Sequence, residues 1–479
     1  MKTYGNFIAN NWVDAVGGEH IGVRDPSTGK EFAQLARGNR DDVDLAVRAA
    51  RDALAGEWGR LTATERGRIL SRISAGVLRN IDLLTGLETK DVGKPLTQSR
   101  ADVVALARYF EFYGAAADKV HGDTIPYQNG FTVLTIYEPH GVTGHIIPWN
   151  YPMQILGRSL GAALAMGNAA VVKPAEEACL TILEFARIAQ EEGLPAGALN
   201  IVTGYGAEAG SALSEHPDVN HISFTGSVRT GEMVQAAAAR NAVPVTLELG
   251  GKSAQLVFAD ADLDRAVPFL VNAGIQNAGQ TCSASSRILV QRPVYEDVVA
   301  RMAEKYRALK VGPAEADLAV GPVVSQRQKA IVEGFLSDAA KDGLKIAAQG
   351  VVVSDAPADG AYVAPTLLRD VPHEHRLVQE EIFGPVQVIM PFDSEDEAVR
   401  LANGTPYGLV CGVWTNDGGR QMRMAHAVQA GQVFINNYGA GGGVELPFGG
   451  VKKSGHGREK GFEALYGFAS MKTISVYHG

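Results

Sequence analysis

Cysteine is scarce in this chain: Cys179, Cys282 and Cys411 are the only three in 479 residues. An odd number of widely spaced cysteines in so long a chain excludes a disulfide framework. It fits free thiols in a reducing compartment, so a cytoplasmic protein is expected. A basic excess is missing as well. The formal net charge of −9 leaves no cation surplus to release counterions from nucleic acid or to hold an anionic membrane. The most apolar stretch, residues 160–172, is interrupted by Gly167 and Asn168 and is too short to span a bilayer. Residues 1–15 contain Trp12 and Asp14 but no apolar run of signal-peptide length, so they read as mature protein. Metal-ligand patterns are also lacking. Neither HExxH nor paired CxxC occurs, and His373 and His375 have no further ligand cluster, which makes them surface residues and predicts no metal.

What is present describes a globular chain rich in turns, with 46% hydrophobic residues and 55 glycines. Its length allows two or three domains, each with its own core. Residues 5–35 hold short strand-like runs divided by Asn10-Asn11, Gly17-Gly18 and Asp25-Pro26-Ser27-Thr28-Gly29. Packing helices follow, one opened by the capping box Thr62-x-x-Glu65. From 140 to 249 strands and helices alternate, with strands near 142–147, 169–172, 199–202, 221–224 and 243–247. Such alternation predicts a parallel sheet with helices on both faces, a nucleotide-binding α/β domain. A second α/β run starts near Ser253. Between the helices and the first run, residues 121–138 read as an exposed hairpin, an aggregation-prone edge unless another chain covers it. Oligomerisation is the economical inference.

Three stretches carry chemistry. In Asn277-Ala278-Gly279-Gln280-Thr281-Cys282-Ser283 small residues leave room for a substrate carbon to reach the Cys282 thiol. Leu247-Glu248-Leu249-Gly250-Gly251 sets a carboxylate before two glycines, and Ile147-Pro148-Trp149-Asn150-Tyr151-Pro152 sets an amide in a proline-bounded turn. Together they offer a thiolate to attack, an amide N–H for an oxyanion and a carboxylate to activate water. The alternative for Cys282 is a buried structural thiol. Gly250-Gly251-Lys252-Ser253 imitates the end of a P-loop, but Thr246 stands where that motif needs glycine, which excludes an ATPase on this pattern. Gly204-x-Gly206 before a predicted helix is a weak dinucleotide fingerprint, since its third glycine, Gly210, comes one residue late.

At these residues the sequence resembles the aldehyde dehydrogenase superfamily. The matching segments are PWNYP at 148–152, KPAE at 173–176, FTGS at 224–227, LELGGK at 247–252, GQTC at 279–282, EEIFGP at 380–385 and PFGG at 447–450, in the family's order over essentially the whole chain. The resemblance implies a Rossmann-like cofactor domain (1–120 and 139–249), an α/β catalytic domain (250–446) and an oligomerisation element (121–138 and 466–479) in a homodimer or homotetramer. It implies Cys282 as nucleophile, Asn150 as oxyanion donor and Glu248 as the base for water. It further implies NAD, with NADP possible, held by Ile147, Pro148, Trp149, Lys173, Glu176, Gly206, Phe224, Gly226, Ser227, Leu249, Glu381 and Phe383. A carboxylate at Glu176 accepting ribose hydroxyls disfavours a 2′-phosphate, so NAD is favoured. Residues by themselves leave other readings: the Ser227 turn as ordinary capping, Glu176 as a partner of the helix dipole, and a cysteine hydrolase using His140 or His145. A coenzyme A-acylating enzyme is the rival within the family, and Glu248 argues against it. A non-catalytic homologue would be expected to have lost Cys282, Glu248 or Asn150.

The substrate side is read from Tyr151, Gln154, Arg158, Thr281, Ser283 and Phe448. Many family members carry Trp-Lys where this chain has Arg158-Ser159, which puts in doubt a proton relay through that lysine to the carboxylate matching Glu459. Arg158 lies eight residues beyond Asn150, slightly over two helical turns, so it either lines the substrate tunnel or forms a structural salt bridge. In the tunnel it would favour an aldehyde bearing a hydroxyl or carboxylate.

Overall fold

A computed structural model describes residues 1–439 and 443–479. The alternating run folds as expected into five adjacent parallel strands: Val142–Ile147, Ala169–Pro174, Leu199–Ile201, His221–Thr225 and Val245–Glu248. Both faces of these strands are covered, which is why they read as near-continuous apolar runs such as Ala169-Ala170-Val171-Val172. The chain lays down the strand at 142–147 first and adds 169–174 and 199–201 on one side. It then crosses to add 221–225 and 245–248 on the other. The reversal falls between Val142–Ile147 and His221–Thr225, and the crevice beyond the carboxyl ends at such a reversal is where open α/β sheets bind ligands. Antiparallel strands complete this eight-stranded sheet, Asn6–Ile8 and Asn11–Val13 at one margin and Gly455–His456 at the other.

The second run builds a seven-stranded sheet in the spatial order 345–349, 366–369, 386–392, 287–291, 254–257, 410–414, 432–435. All its pairs are parallel except the one made by the edge strand Lys345–Gln349. The turn at residues 249–253 leads from the carboxyl end of Val245–Glu248 to the amino end of Ala254–Val257. Residues 280–286 likewise reach the amino end of the neighbouring strand Arg287–Gln291. Glu248 therefore leaves one sheet where Cys282 approaches the other. Each sheet has its own buried core, and a small third cluster of Leu409, Val410 and Phe448 packs against Cys282.

Two elements serve the site from behind. Helix Pro152–Ala165 starts with proline in its first turn, where the missing N–H costs nothing. It is buried on every side, and full burial of Leu156, Leu160 and Leu164 contributes roughly 1.5–3 kcal/mol each. Its Gly157 and Gly161 seat the rings of Tyr109 and Tyr113; a Cβ on either would stand 2.8 Å from a ring carbon. Residues 447–459 then return from the second sheet to the first, where Gly455 pairs with Glu248. In the third layer, Ala469–Tyr477 pairs antiparallel with Phe131–Pro139 along nine residues, and Thr124–Ile125 flanks the latter.

Two local expectations are corrected. The helix that the sequence pattern predicts after Gly204-x-Gly206, over 206–215, is not continuous: a π-type turn, Gly206–Gly210, leads into the short helix Ser211–Glu215. His373 and His375 are half-buried rather than surface side chains, and His375 meets Asp342 at 3.0 Å. Among the described residues no helix is long and apolar enough to cross a membrane, and no group of three His, Cys, Asp or Glu side chains is placed to hold a metal ion.

Candidate active site

Helix Leu263–Ile275 ends in a tight turn in which Asn277, Ala278 and Gly279 take φ of 46°, 52° and 74°. Left-handed backbone at a non-glycine residue costs about 1–3 kcal/mol and persists only where its surroundings impose it. Here Asn277 Nδ2 donates to the Asn150 carbonyl at 2.8 Å, Gln280 Nε2 to the Asn277 carbonyl at 2.9 Å, and the Val324 N–H to Gln280 Oε1 at 2.8 Å. Gly279 must be glycine on two counts, its φ and its approach to the Gly384 carbonyl, which would lie 2.2 Å from a Cβ. The strained turn delivers Cys282, half-buried, to the junction of the two sheets.

Two cavities open from Cys282. One, of about 310 Å³, lies at the crossover of the first sheet. Pro148, Trp149, Gly226, Ser227, Glu248, Glu381 and Phe383 line it together with Asn150 and Cys282. The other, of about 240 Å³, also includes Asn150 and Cys282 and is lined by all six substrate-side candidates: Tyr151, Gln154, Arg158, Thr281, Ser283 and Phe448. Asn150 and Cys282 are thus shared walls. The Asn150 amide donates one hydrogen to the Gln280 carbonyl at 3.0 Å, which orients it and leaves its second N–H for the cavity.

Glu248 is 1% exposed, and neither carboxylate oxygen has a hydrogen-bond partner. Burial raises its pKa well above the usual carboxylate range; Arg158 opposes this and Glu459 adds to it. Burial likewise pushes the Cys282 thiol up to about 12, again against Arg158 as the main opposing charge. Glu381 accepts from the Gly251 N–H at 3.0 Å and occupies space that a Cβ on Gly250 would fill, 2.2 Å from its Oε2. Desolvation raises its pKa to about 7. Phe383, itself at φ 57°, meets the Trp149 ring edge-on at 5.3 Å.

Other expected cofactor residues lie apart from this lining, among the described residues. Ile147, Phe224 and Leu249 are buried in or beside the strands. Lys173 and Glu176 meet at 3.0 Å at the carboxyl end of the strand Ala169–Pro174, and Gly206 borders open space. Arg158 realises both of its readings. It lines the substrate-side cavity, yet its guanidinium forms an ion pair with buried Glu459, lies 3.4 Å from Thr225 Oγ1 and sits 4.9 Å over the Phe448 ring. Its charge is compensated before any substrate arrives, so the argument for an anionic or hydroxylated substrate from Arg158 alone lapses. Ser159 donates to its own helix at the Ile155 carbonyl, 3.0 Å away, and offers no relay.

The sequence reading did not single out Gln98, Asp102 and Gln276, which also line the second cavity. Asp102 accepts from Gln154 Nε2 at 2.6 Å and is ion-paired with buried Lys94, which also binds Glu88 Oε1 at 2.7 Å and lies 4.0 Å over the Tyr151 ring. A lysine and two acids spread over residues 88–102 match no motif; only their clustering inside apolar helices could have hinted at a buried network. The histidines of the hydrolase alternative are engaged elsewhere. His145 Nε2 meets Thr143 Oγ1 at 2.8 Å, and His140 stacks on His221 at 5.3 Å.

Comparison with known proteins agrees with this geometry. The model of the aldehyde dehydrogenase family matches residues 12–474. Rat aldehyde dehydrogenase, cytosolic 1, is 39% identical over 475 residues, covering 98% of this chain and 94% of the relative. A solved structure from Burkholderia cenocepacia, provisionally named an aldehyde dehydrogenase, is 65% identical with a TM-score of 0.99 over 99% of this chain and 100% of that one. The NAD+ complex of a Bacillus cereus aldehyde dehydrogenase is 37% identical with a TM-score of 0.97, covering 100% and 97% of the two chains. The chain belongs to the aldehyde dehydrogenase family.

Proposed function

We propose the following roles within an enzyme whose reaction, oxidation of an aldehyde to the carboxylic acid with NAD as acceptor, follows from its family. One observation carries the assignment: Cys282 and Asn150 border both cavities, and Glu248 presents two unpartnered oxygens to one of them. The Cys282 thiolate attacks the aldehyde carbon, forming the carbon–sulfur bond, while the oxyanion accepts from the free Asn150 N–H and the Cys282 backbone N–H. NAD, when bound, supplies the acceptor for the hydride that leaves this carbon. Glu248 then takes a proton from water as its oxygen adds to the thioester, and the acid leaves with release of the thiolate.

The first cavity fits a dinucleotide at its nicotinamide end. The room left by Gly250 for Glu381, the Phe383–Trp149 wall and the N-terminus of helix Val228–Ala239 behind Ser227 supply a ribose acceptor, a ring surface and a phosphate seat. Glu176 beside Lys173 supports NAD over NADP. Support from outside the chain comes from the Bacillus relative solved with NAD+. For the aldehyde, the Gln98, Gln154 and Gln276 amides and Asp102 favour a substituent that hydrogen-bonds, a hydroxyl above all. Association of copies through the long strand Ala469–Tyr477, with Met471, Ile474, Val476 and Tyr477 exposed, would cover an open edge. Three free thiols and a relative named cytosolic support the cytoplasm. The test is Cys282→Ala assayed for NADH with a panel of aldehydes. Loss of all turnover is expected, and near-normal turnover would overturn the nucleophile.

A further inference from the structure

Three contacts fix where the Arg158 charge lies. The side chain enters from helix Pro152–Ala165, ion-pairs with Glu459, approaches Thr225 Oγ1 at 3.4 Å and covers the Phe448 ring. Thr225 is the register partner of Glu248 on the neighbouring strand, so the guanidinium reaches the residue directly beside the base. On its other side it forms cavity wall shared with Cys282. Glu459 is held behind it, fully buried, accepting from Ser223 Oγ at 2.7 Å, with its backbone bridged to Phe448. The cation therefore stands between one buried acid that anchors it and two groups that must ionise to react.

We propose that Arg158 is a positioning residue: clamped by Glu459, it holds a fixed positive charge that favours the thiolate of Cys282 and the carboxylate of Glu248. The inference rests on the roles proposed above for those two residues. It gives this chain another use for Glu459 than a relay, because the Ser159 hydroxyl is turned to its own helix, at the Ile155 carbonyl. Guanidinium suits the task, since it stays protonated in a dry site and its planar fork can serve an acid and a hydroxyl at once. The charged and titratable groups around it are Glu459 and the adjacent Lys460, Glu248 from the first sheet, Cys282 from the strained loop, and Tyr109 and Tyr113 from helix Leu96–Ala116, while Arg458 is a second cation that acts on Glu248. Glu381 and Glu248 face the thiol from the cofactor side and oppose its ionisation. Arg158 is the main charge lowering the thiol, whereas Glu459 is not among the charges that act chiefly on it. An ion pair that only stabilised the fold would be replaceable by two neutral residues. A positioning cation would not.

The experiment follows iodoacetamide labelling of Cys282 against pH in the full-length enzyme, read by peptide mass, with and without NAD. Arg158→Gln should raise the midpoint by about one unit, slowing labelling about tenfold below it. Arg158→Lys should keep most of the wild-type midpoint. The double variant Arg158→Gln with Glu459→Gln removes both members of the ion pair, so neither is left buried without the other; it reports even where the single variant does not fold, and its midpoint should stay raised. Steady-state NADH formation should fall in parallel and recover at higher pH. A wild-type midpoint in the double variant, or Arg158→Lys behaving like Arg158→Gln, overturns the proposal and leaves a structural pair. Failure of the underlying nucleophile assignment shows separately, as turnover in Cys282→Ala.

Discussion

The two cavities that meet at Cys282 are built from different materials. The side proposed for the cofactor is made of strand ends and turns, namely Pro148-Trp149, Gly226-Ser227, Glu248 and the Glu381–Phe383 corner. The substrate side draws much of its wall from two helices: Gln98 and Asp102 from Leu96–Ala116, and Gln154 and Arg158 from Pro152–Ala165. Where a turn makes the wall, the backbone path and the residue type constrain each other. Where a helix makes it, a side chain can change while the helix stays in place. This division lets the same oxidation be kept while the aldehyde accepted is altered on the other side of one thiol.

The sharpest test of the division is at the groups assigned to the reaction itself, where a change should ignore it. Glu248→Gln should lower steady-state turnover about 10²–10⁴-fold for every aldehyde, the usual span for a lost general base. A first-turnover burst of NADH should survive if, as proposed, the base acts after hydride transfer. Undiminished steady-state turnover would remove Glu248 from hydrolysis. Asn150→Ala should cost about 10²–10³-fold, the scale of one oxyanion donor, again for all aldehydes alike. A loss confined to one class of aldehyde would instead make Asn150 a substrate-side residue and break the comparison.

The same division separates what the sequence made legible from what it hid. The five parallel strands were readable because period and turn residues are local, and Cys282, Glu248 and Asn150 stood in compact motifs; the order of the strands in the sheet was not. Gln98, Asp102 and Gln276 were not. They come from helical segments whose relation to residue 282 exists only after folding, and a glutamine on a helix carries no local sign of what it will face. The return of residues 447–459 was hidden for a related reason. Gly455-His456 is too short a strand to show a period, yet it pairs with Leu247-Glu248 and completes the first sheet. Arg158 was placed correctly on its helix, but its partner Glu459 is 301 positions away in sequence, a separation no pattern spans.

On the cofactor side the expected effect is smaller and depends on pH. Burial raises Glu381 to about 7, with the Gly251 N–H and Lys252 opposing. An acid with a raised pKa is protonated below that value and gains its charge above it, and only the carboxylate accepts from two ribose hydroxyls. The KM for NAD should therefore fall as pH rises from 6 to 8, by up to about tenfold, following the change in ionised fraction. Glu381→Gln should flatten this dependence while leaving the KM for aldehyde nearly unchanged. A pH profile identical in the variant would mean that Glu381 does not face the ribose.

The smallest effect is expected on the substrate side, at Gln154. Its Nε2 donates to Asp102 Oδ1 at 2.6 Å, and Asp102 is also tied to Lys94 behind the wall. Gln154→Leu keeps the volume of the side chain but removes that donor and turns part of the wall apolar. Asp102 keeps its ammonium partner, so the charge stays compensated and the helix should not move. What changes is the preference of the cavity. An aldehyde whose hydroxyl used the amide loses one hydrogen bond, worth about 1 kcal/mol net, while a bare hydrocarbon aldehyde loses nothing and gains contact. The ratio of kcat/KM for a hydroxylated over an unsubstituted aldehyde should fall about fivefold, with the KM for NAD unmoved. Should the KM for NAD shift as much as that ratio, the two sides of Cys282 are not independent, and the helical wall is carrying the cofactor site as well.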